Sequence, residues 1–293
     1  MTTRFLEITR SPSITDAQAR CIDYIKEHYD SDDLEECSQL LSRETGLPIG
    51  DEQLEDLSPL AGLPYLAGIN LADTKVSSLD PLATLPNLRD LTIYRTPDAN
   101  FELIGSLENL TYLFLVENQL RDFAPLANLK QLEQLLVINN PVLDFSILGE
   151  LPNLRELNVT HTGITGLDCL PDAPKLTELN ICENVLSNLN GIERYPELRK
   201  LDATKCQLVD ISALRNASFA SLTDINLNEN AIIDISPMAH LGGLDTAYLM
   251  DNPIRSWRPL QGLKSLETFT MDYEGLVEEI DDERLLTKWL HLG

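Results

Sequence analysis

The sequence predicts an α/β solenoid, a right-handed coil of short parallel strands joined by short 3-10, helical or irregular return segments, with the curved sheet on the concave face and helical caps. Three observations predict it. Leu66, Leu88, Leu110, Leu132, Leu154, Leu176 and Leu198 recur every 22 residues, and after one step of 24 the series resumes at Leu222, Leu244 and Leu266. Each opens a version of LxxLxLxxN, as in Leu110, Leu113, Leu115 and Asn118, or Leu222, Ile225, Leu227 and Asn230. A second apolar set then closes the period, for example Leu120, Phe123, Leu126 and Leu129.

Taken from the amino terminus, Ser13 to about Tyr29 reads as an amphipathic helix. Thr15 and Gln18 are spaced as a capping box, and Ala19, Ile22, Ile25 and Tyr29 fall on or near one face. A second short helix is expected from Ser31 or Asp32 to Ser42, with Leu34, Cys37, Leu40 and Leu41 turned inward. Together they make a helical cap over residues 1–43, which an open solenoid needs to cover its exposed core. Glu44 to Tyr65 is a degenerate first repeat, so eleven turns span residues 44–274. A closing helix is expected over 275–293, where Leu285, Leu286, Trp289 and Leu290 follow the helix-starting Asp281 and Asp282. The longer eighth turn, with Arg215, Asn216, Ala217, Ser218, Phe219 and Ala220, should absorb its two extra residues on the return side.

Within each turn the LxL segment is a short strand. Its fourth and sixth repeat positions point inward, while positions three, five and seven point outward. Proline at repeat position 16 (Pro59, Pro81, Pro125, Pro237, Pro259) or 21 (Pro64, Pro86, Pro152, Pro174, Pro196) disfavours long helices in the return segments. Strands stack about 4.8 Å apart, so wider return segments bend the sheet with its strands on the inside. Position nine carries Asn118, Asn140, Asn184, Asn230 and Asn252, with Thr74, Thr96, Thr162 and Cys206 elsewhere. A buried amide column is expected there, because asparagine both donates to and accepts from loop backbone left unpaired inside the turn.

The tract from Leu115 to Leu132, which follows LxxNxLxxxxPLxxLxxL, resembles the 22-residue class of leucine-rich repeats found in bacterial internalins and in the leucine-rich regulator of type 1 protein phosphatase. The similarity covers about four fifths of the chain. It implies a leucine-rich repeat solenoid. Function does not follow from it, since function lives in the exposed positions of a repeat scaffold.

Composition bounds those positions. The 293 residues are 43% apolar and 24% charged, a globular balance. The net charge of −25 repels nucleic-acid backbones and anionic membrane surfaces, so the expected partner is a basic protein. No stretch approaches the length needed to cross a bilayer, and no secretion signal is read at the amino terminus. Five cysteines without a CxxC pair fit reduced thiols and a cytoplasmic location. No metal-ligand spacing or phosphate-binding glycine loop is present, and no cofactor is expected.

The strand register assigns the outward positions. Tyr94, then Tyr112, Phe114 and Val116, then Leu136 and Ile138 form one apolar patch on neighbouring strands, and contiguous exposed patches tend to mark binding surfaces. Farther along, the face turns polar and acidic, with Glu156, Asn158, His161, Glu178, Asn180, Glu183, Asp202, Asp224, Asn226, Asn228 and Glu229, interrupted by Lys200 and Lys205. Such acceptors suit an arginine- or lysine-bearing ligand. Tyr248, Met250 and Tyr273 supply a second aromatic region. Affinity is assigned mainly to Tyr112, Phe114 and Leu136, and association rate to the acids.

The best catalytic constellation is Cys182 near His161, with Glu156 or Glu178 nearby, on an open surface without an oxyanion hole. The reading is therefore a noncatalytic protein-binding scaffold that uses its concave face, an inhibitor or immunity-type antitoxin in character. Its rivals are an internalin-like or effector host-interaction protein and a phosphatase-regulator-like subunit.

Overall fold

The computed structural model describes residues 4–142, 144–215, 219, 221–272 and 276. The closing helix expected over 275–293, Tyr273, and Asn216, Ala217, Ser218 and Ala220 of the eighth turn lie outside the described residues. The chain divides into two compact units, residues 1–143 and 144–293.

The first unit begins with three helices, α1 (Arg4–Thr9), α2 (Asp16–Tyr29) and α3 (Leu34–Leu41). The Thr15 capping box forms as its spacing requires: Gln18 N–H donates to Thr15 Oγ1 at 3.1 Å, and Thr15 N–H donates to Gln18 Oε1 at 3.2 Å. Cys21, Ile22 and Ile25 make the buried face of α2. The helix docks on the first turn through Tyr24, whose hydroxyl donates to Pro48 O at 2.8 Å, and through an ion pair between Arg20 and Asp51. Two features differ from expectation. Helix α1 was not predicted, although Phe5, Leu6 and Ile8 bury it. Leu40 is 41% exposed, because Cys37, Ser38 and Leu41 fill the inward arc of α3 and Leu40 falls about 100° short of Leu41.

Strands β1 (Gly46–Gly50), β2 (Gly68–Ala72), β3 (Asp90–Tyr94), β4 (Tyr112–Val116) and β5 (Gln134–Ile138) follow, each parallel to the last and in register at the 22-residue step. The second unit repeats the arrangement with β6 (Glu156–Asn158), β7 (Glu178–Asn180), β8 (Lys200–Asp202), β9 (Asp224–Asn226), β10 (Thr246–Tyr248) and β11 (Thr268–Thr270). Lys200 pairs with Asp224, so the two extra residues of the eighth turn leave the strand register intact. The leucine-rich repeat architecture read from the sequence is the one observed.

The return segments are 3-10 turns, such as Asp80–Thr84, Ala124–Asn128 and Ser236–His240, with proline in their first turn as anticipated. What the sequence reading missed is the residue that starts them. At repeat position 13, Asp122, Asp144, Asp210 and Asp234 each accept the N–H two residues on, at 2.7–2.8 Å. These short side chains hold the backbone in a turn, and several of the chain's acids are spent on that task.

From Thr74 to Asn252 the position-nine column is buried, except at the half-buried Asn230. Asn140 Oδ1 accepts N–H from Asn118 at 3.0 Å and from Leu120 at 3.1 Å, while its Nδ2 donates to Leu115 O and Ile138 O. Asn184 serves Thr162 and Gly163 in the same way and donates to Val159 O. Cys206 replaces the amide with a weaker donor, its thiol giving a bond to Ile181 O at 3.0 Å, and burial pushes that thiol up to about 11. The column therefore supplies the hydrogen bonds that a buried loop backbone cannot leave unmade.

Candidate functional site

In the first unit the outward positions of β3–β5 meet as the register dictates. Tyr94 pairs with Val116 and Val116 with Ile138, while Phe114 pairs with Leu136. Tyr112 and Phe114 pack edge to face at 6.4 Å between ring centroids. Arg95 lies over the Tyr94 ring at 4.4 Å and also bonds Asp73. Tyr94, Tyr112, Phe114, Leu136 and Ile138 are half-buried, with part of each side chain open to solvent. Val116 is the exception. It was expected to face outward but is only 9% exposed, so most of its surface is already covered by its neighbours.

In the second unit a hollow of about 250 Å³ opens on the strand face. Repeat position three contributes Glu156, Glu178, Lys200 and Asp224, and position five contributes Asn158, Asn180, Asp202, Asn226 and Tyr248. Glu156 stands opposite Glu178, and Glu178 opposite Lys200, whose Nζ donates to Glu178 Oε1 at 2.9 Å. Burial first, and then the neighbouring Glu178 carboxylate, hold the Glu156 carboxyl above the usual carboxylate range, with Lys200 opposing them. Asp224 accepts from the Thr223 hydroxyl at 2.6 Å.

A raised carboxyl has a definite sign in the stability of the fold. The native state binds the Glu156 proton more tightly than the unfolded chain does. This contribution is present in full below the unfolded value of about 4.3 and is lost as pH rises through the native one. Glu156→Gln is therefore expected to raise the melting temperature at neutral pH, with the gain shrinking towards pH 4. A gain that stays constant across that range would show that the carboxylate is not under strain.

His161 and Glu183 do not line the hollow. They occupy repeat position eight, where the backbone is left-handed in every described turn from Asp73 to Asp251: His161 has φ 53°, Glu183 φ 56° and Lys205 φ 57°. Seven of these residues, Asp73, Arg95, Glu117, His161, Glu183, Lys205 and Glu229, donate their N–H to a carbonyl of the next turn, as His161 does to Cys182 O at 3.0 Å, which holds a conformation that non-glycine residues otherwise avoid. The side chains then pair along the column, His161 Nδ1 with Glu183 at 3.5 Å and Lys205 with Glu229 at 3.3 Å. Met250 is half-buried beyond Tyr248.

The Cys182–His161 constellation is not assembled as a nucleophile and base. Cys182 Sγ donates to Asp202 Oδ1 at 3.0 Å, and burial together with that carboxylate raises the thiol well above its ordinary value. The imidazole of His161 is turned instead to Glu183. A protonated thiol held by a carboxylate is a poor nucleophile. Among the described residues no group of histidine, cysteine and acidic side chains has the arrangement of a metal site. No described helix is long and apolar enough to cross a membrane.

No protein-family model matches the chain, and comparison with curated proteins gives no match to its sequence. Solved structures are similar in fold. An internalin, InlF, from Listeria monocytogenes aligns over 95% of this chain and 94% of its own with 20% identity and a TM-score of 0.64. A chain of the mouse RP105/MD-1 complex aligns over 78% of this chain at 22% identity and a TM-score of 0.60, and this chain spans 46% of it. A chain of the Drosophila Toll–Spatzle complex aligns over 83% of this chain at 18% identity and a TM-score of 0.62, and 35% of it is spanned. At these identities the likeness is one of leucine-rich repeat fold.

Proposed function

We propose that this leucine-rich repeat chain is a noncatalytic scaffold that binds a basic protein partner through its strand faces. One observation carries the reading: outward strand positions in the first unit are apolar and adjoin in register, and Phe114, Leu136 and Ile138 among them stay half-open where nothing in the packing of the repeat calls for apolar residues. Tyr94, Tyr112, Phe114, Leu136 and Ile138 supply affinity, with Val116 packed between Tyr94 and Ile138. Glu156, Glu178, Glu183, Asp202 and Asp224 attract positive charge, and Tyr248, Met250 and His161 add contacts within the second unit. The net charge of −25 disfavours nucleic acid and anionic membranes as alternatives. The structures of RP105 with MD-1 and of Toll with Spatzle are protein complexes built on the same fold, which lends support to a protein partner.

The test is affinity capture with the wild-type chain and with a Tyr112→Ala, Phe114→Ala, Leu136→Ala variant, followed by titration of each purified partner. Partners lost by the variant support the patch, and partners held at equal affinity reject it. Neutral amides at Glu156, Glu178 and Asp224 should slow association and flatten its salt dependence, and an unchanged rate removes the acids from the reading.

A further inference from the structure

We infer that the hollow across β6–β10 is a saccharide site, which takes a polyhydroxylated chain laid across the strands with about one sugar ring per turn. The inference goes beyond the protein-binding reading and uses none of the apolar patch. It starts from the orientation of two amides. Asn158 Oδ1 accepts from Thr160 N–H at 3.0 Å and from the Thr160 hydroxyl at 2.7 Å. Asn180 Oδ1 accepts from Cys182 N–H at 3.0 Å and from the same hydroxyl at 2.9 Å. The backbone thus fixes which way both side chains face, and neither amide nitrogen has a hydrogen-bond partner among the described residues. Two residues before each amide stands a carboxylate, Glu156 and Glu178, paired across the same two strands.

Each of these turns therefore carries a carboxylate and an amide donor side by side, with one Glu178 oxygen taken by Lys200, and the pair repeats at the strand spacing of about 4.8 Å. A hydroxyl both donates and accepts, so it satisfies both groups, and two neighbouring hydroxyls can share one carboxylate. A cation only donates. It would gain the carboxylates but face the amide N–H groups and Lys200, which already sits against Glu178. A pyranose ring advances its chain by nearly the same step as the strands, and the hollow extends over four strand spacings, roughly 19 Å, to the ring of Tyr248. An aromatic ring beside polar side chains is suited to the apolar face of a sugar.

The experiment titrates the purified chain with neutral cello-, malto- and chito-oligosaccharides, and separately with tetralysine. The variant is N158D/N180D. Aspartate keeps the acceptor that holds the turn, as Asp202 does for Thr204 N–H at 3.1 Å, but removes the donor. The expected result is that at least one oligosaccharide binds the wild type and that the variant, titrated well below its own melting temperature, weakens it about tenfold, which corresponds to about 1.4 kcal/mol. Tyr248→Ala, which leaves the amides alone, should weaken the same oligosaccharide. Should no oligosaccharide bind, or should both variants bind it as the wild type does, the inference is overturned. Tetralysine binding that strengthens in N158D/N180D, without saccharide binding, would make the hollow a cation site instead. Neither outcome bears on the Tyr112, Phe114 and Leu136 variants, so the apolar patch is tested separately, whereas saccharide binding would withdraw Glu156, Glu178, Asp202, Asp224 and Tyr248 from the protein-binding reading.

Discussion

Asn140→Ala is expected to destabilise the fold by about 2–4 kcal/mol, measured as a lower midpoint of urea unfolding. The side chain is 1% exposed and closes two backbone donors at once, Asn118 N–H and Leu120 N–H, while its own amide satisfies Leu115 O and Ile138 O. Alanine fills part of the volume and none of these bonds, so each buried N–H bears a desolvation cost of about 1–3 kcal/mol. Water offers only partial relief, because the surrounding leucines leave little polar room. Glu133→Ala, at an exposed position beside the same strand, should fall within about 0.5 kcal/mol of wild type. A loss below about 1 kcal/mol at Asn140 would mean that the amide column does not hold the turns.

Phe114→Ala and Val116→Ala should separate binding from folding. Phe114 is half-open on the strand face, and as a central aromatic anchor its truncation should cost about 2 kcal/mol of partner affinity, close to thirtyfold. Its effect on unfolding should be the smaller of the two. Val116, at 9% exposure, is already surrounded by protein, and shortening it leaves a void. That should cost about 1–2 kcal/mol of stability and leave affinity within threefold. The comparison needs the partner from the capture experiment and two measurements per variant, titration and denaturant unfolding. Equal losses of affinity at the two positions would show that the whole patch acts through fold integrity rather than contact.

The register was legible because leucine spacing carries it. A residue period of 22 fixes which positions repeat, and the two-residue alternation of a strand fixes which of them point out, so Phe114 opposite Leu136 and Glu156 opposite Glu178 could be read before any coordinates. The buried amide column was legible for a similar reason, since asparagine recurring inside an apolar period has few other uses. What remained hidden depends on backbone path rather than pattern. The left-handed turn at position eight carries Asp, Arg, Glu, Asn, His and Lys, none of which announces it as glycine does, and in most turns the hydrogen bond to the next one reveals why it is tolerated. The turn-starting acids at position 13 looked like ordinary surface charge. Val116 sits at an outward position by alternation, yet Tyr94 and Ile138 flank it closely enough to bury it. Cys182 and His161 were correctly placed on adjacent turns. Their side chains nonetheless chose Asp202 and Glu183, a choice set by side-chain direction that spacing does not encode.

The amide column also has a direction. Asn118 reaches back to Ile93 O and Asn140 reaches back to Leu115 O, so a coil followed by such an asparagine is fastened by the one that comes after it in the chain. Shortening such an array from its carboxyl side strips the fastener from the coil left at the end, whereas shortening it from the amino side removes only what a fastener was holding. Unravelling should accordingly travel more easily from late coils towards early ones, and a nascent chain leaving the ribosome would gain each coil's full hydrogen bonding only after the following coil has emerged.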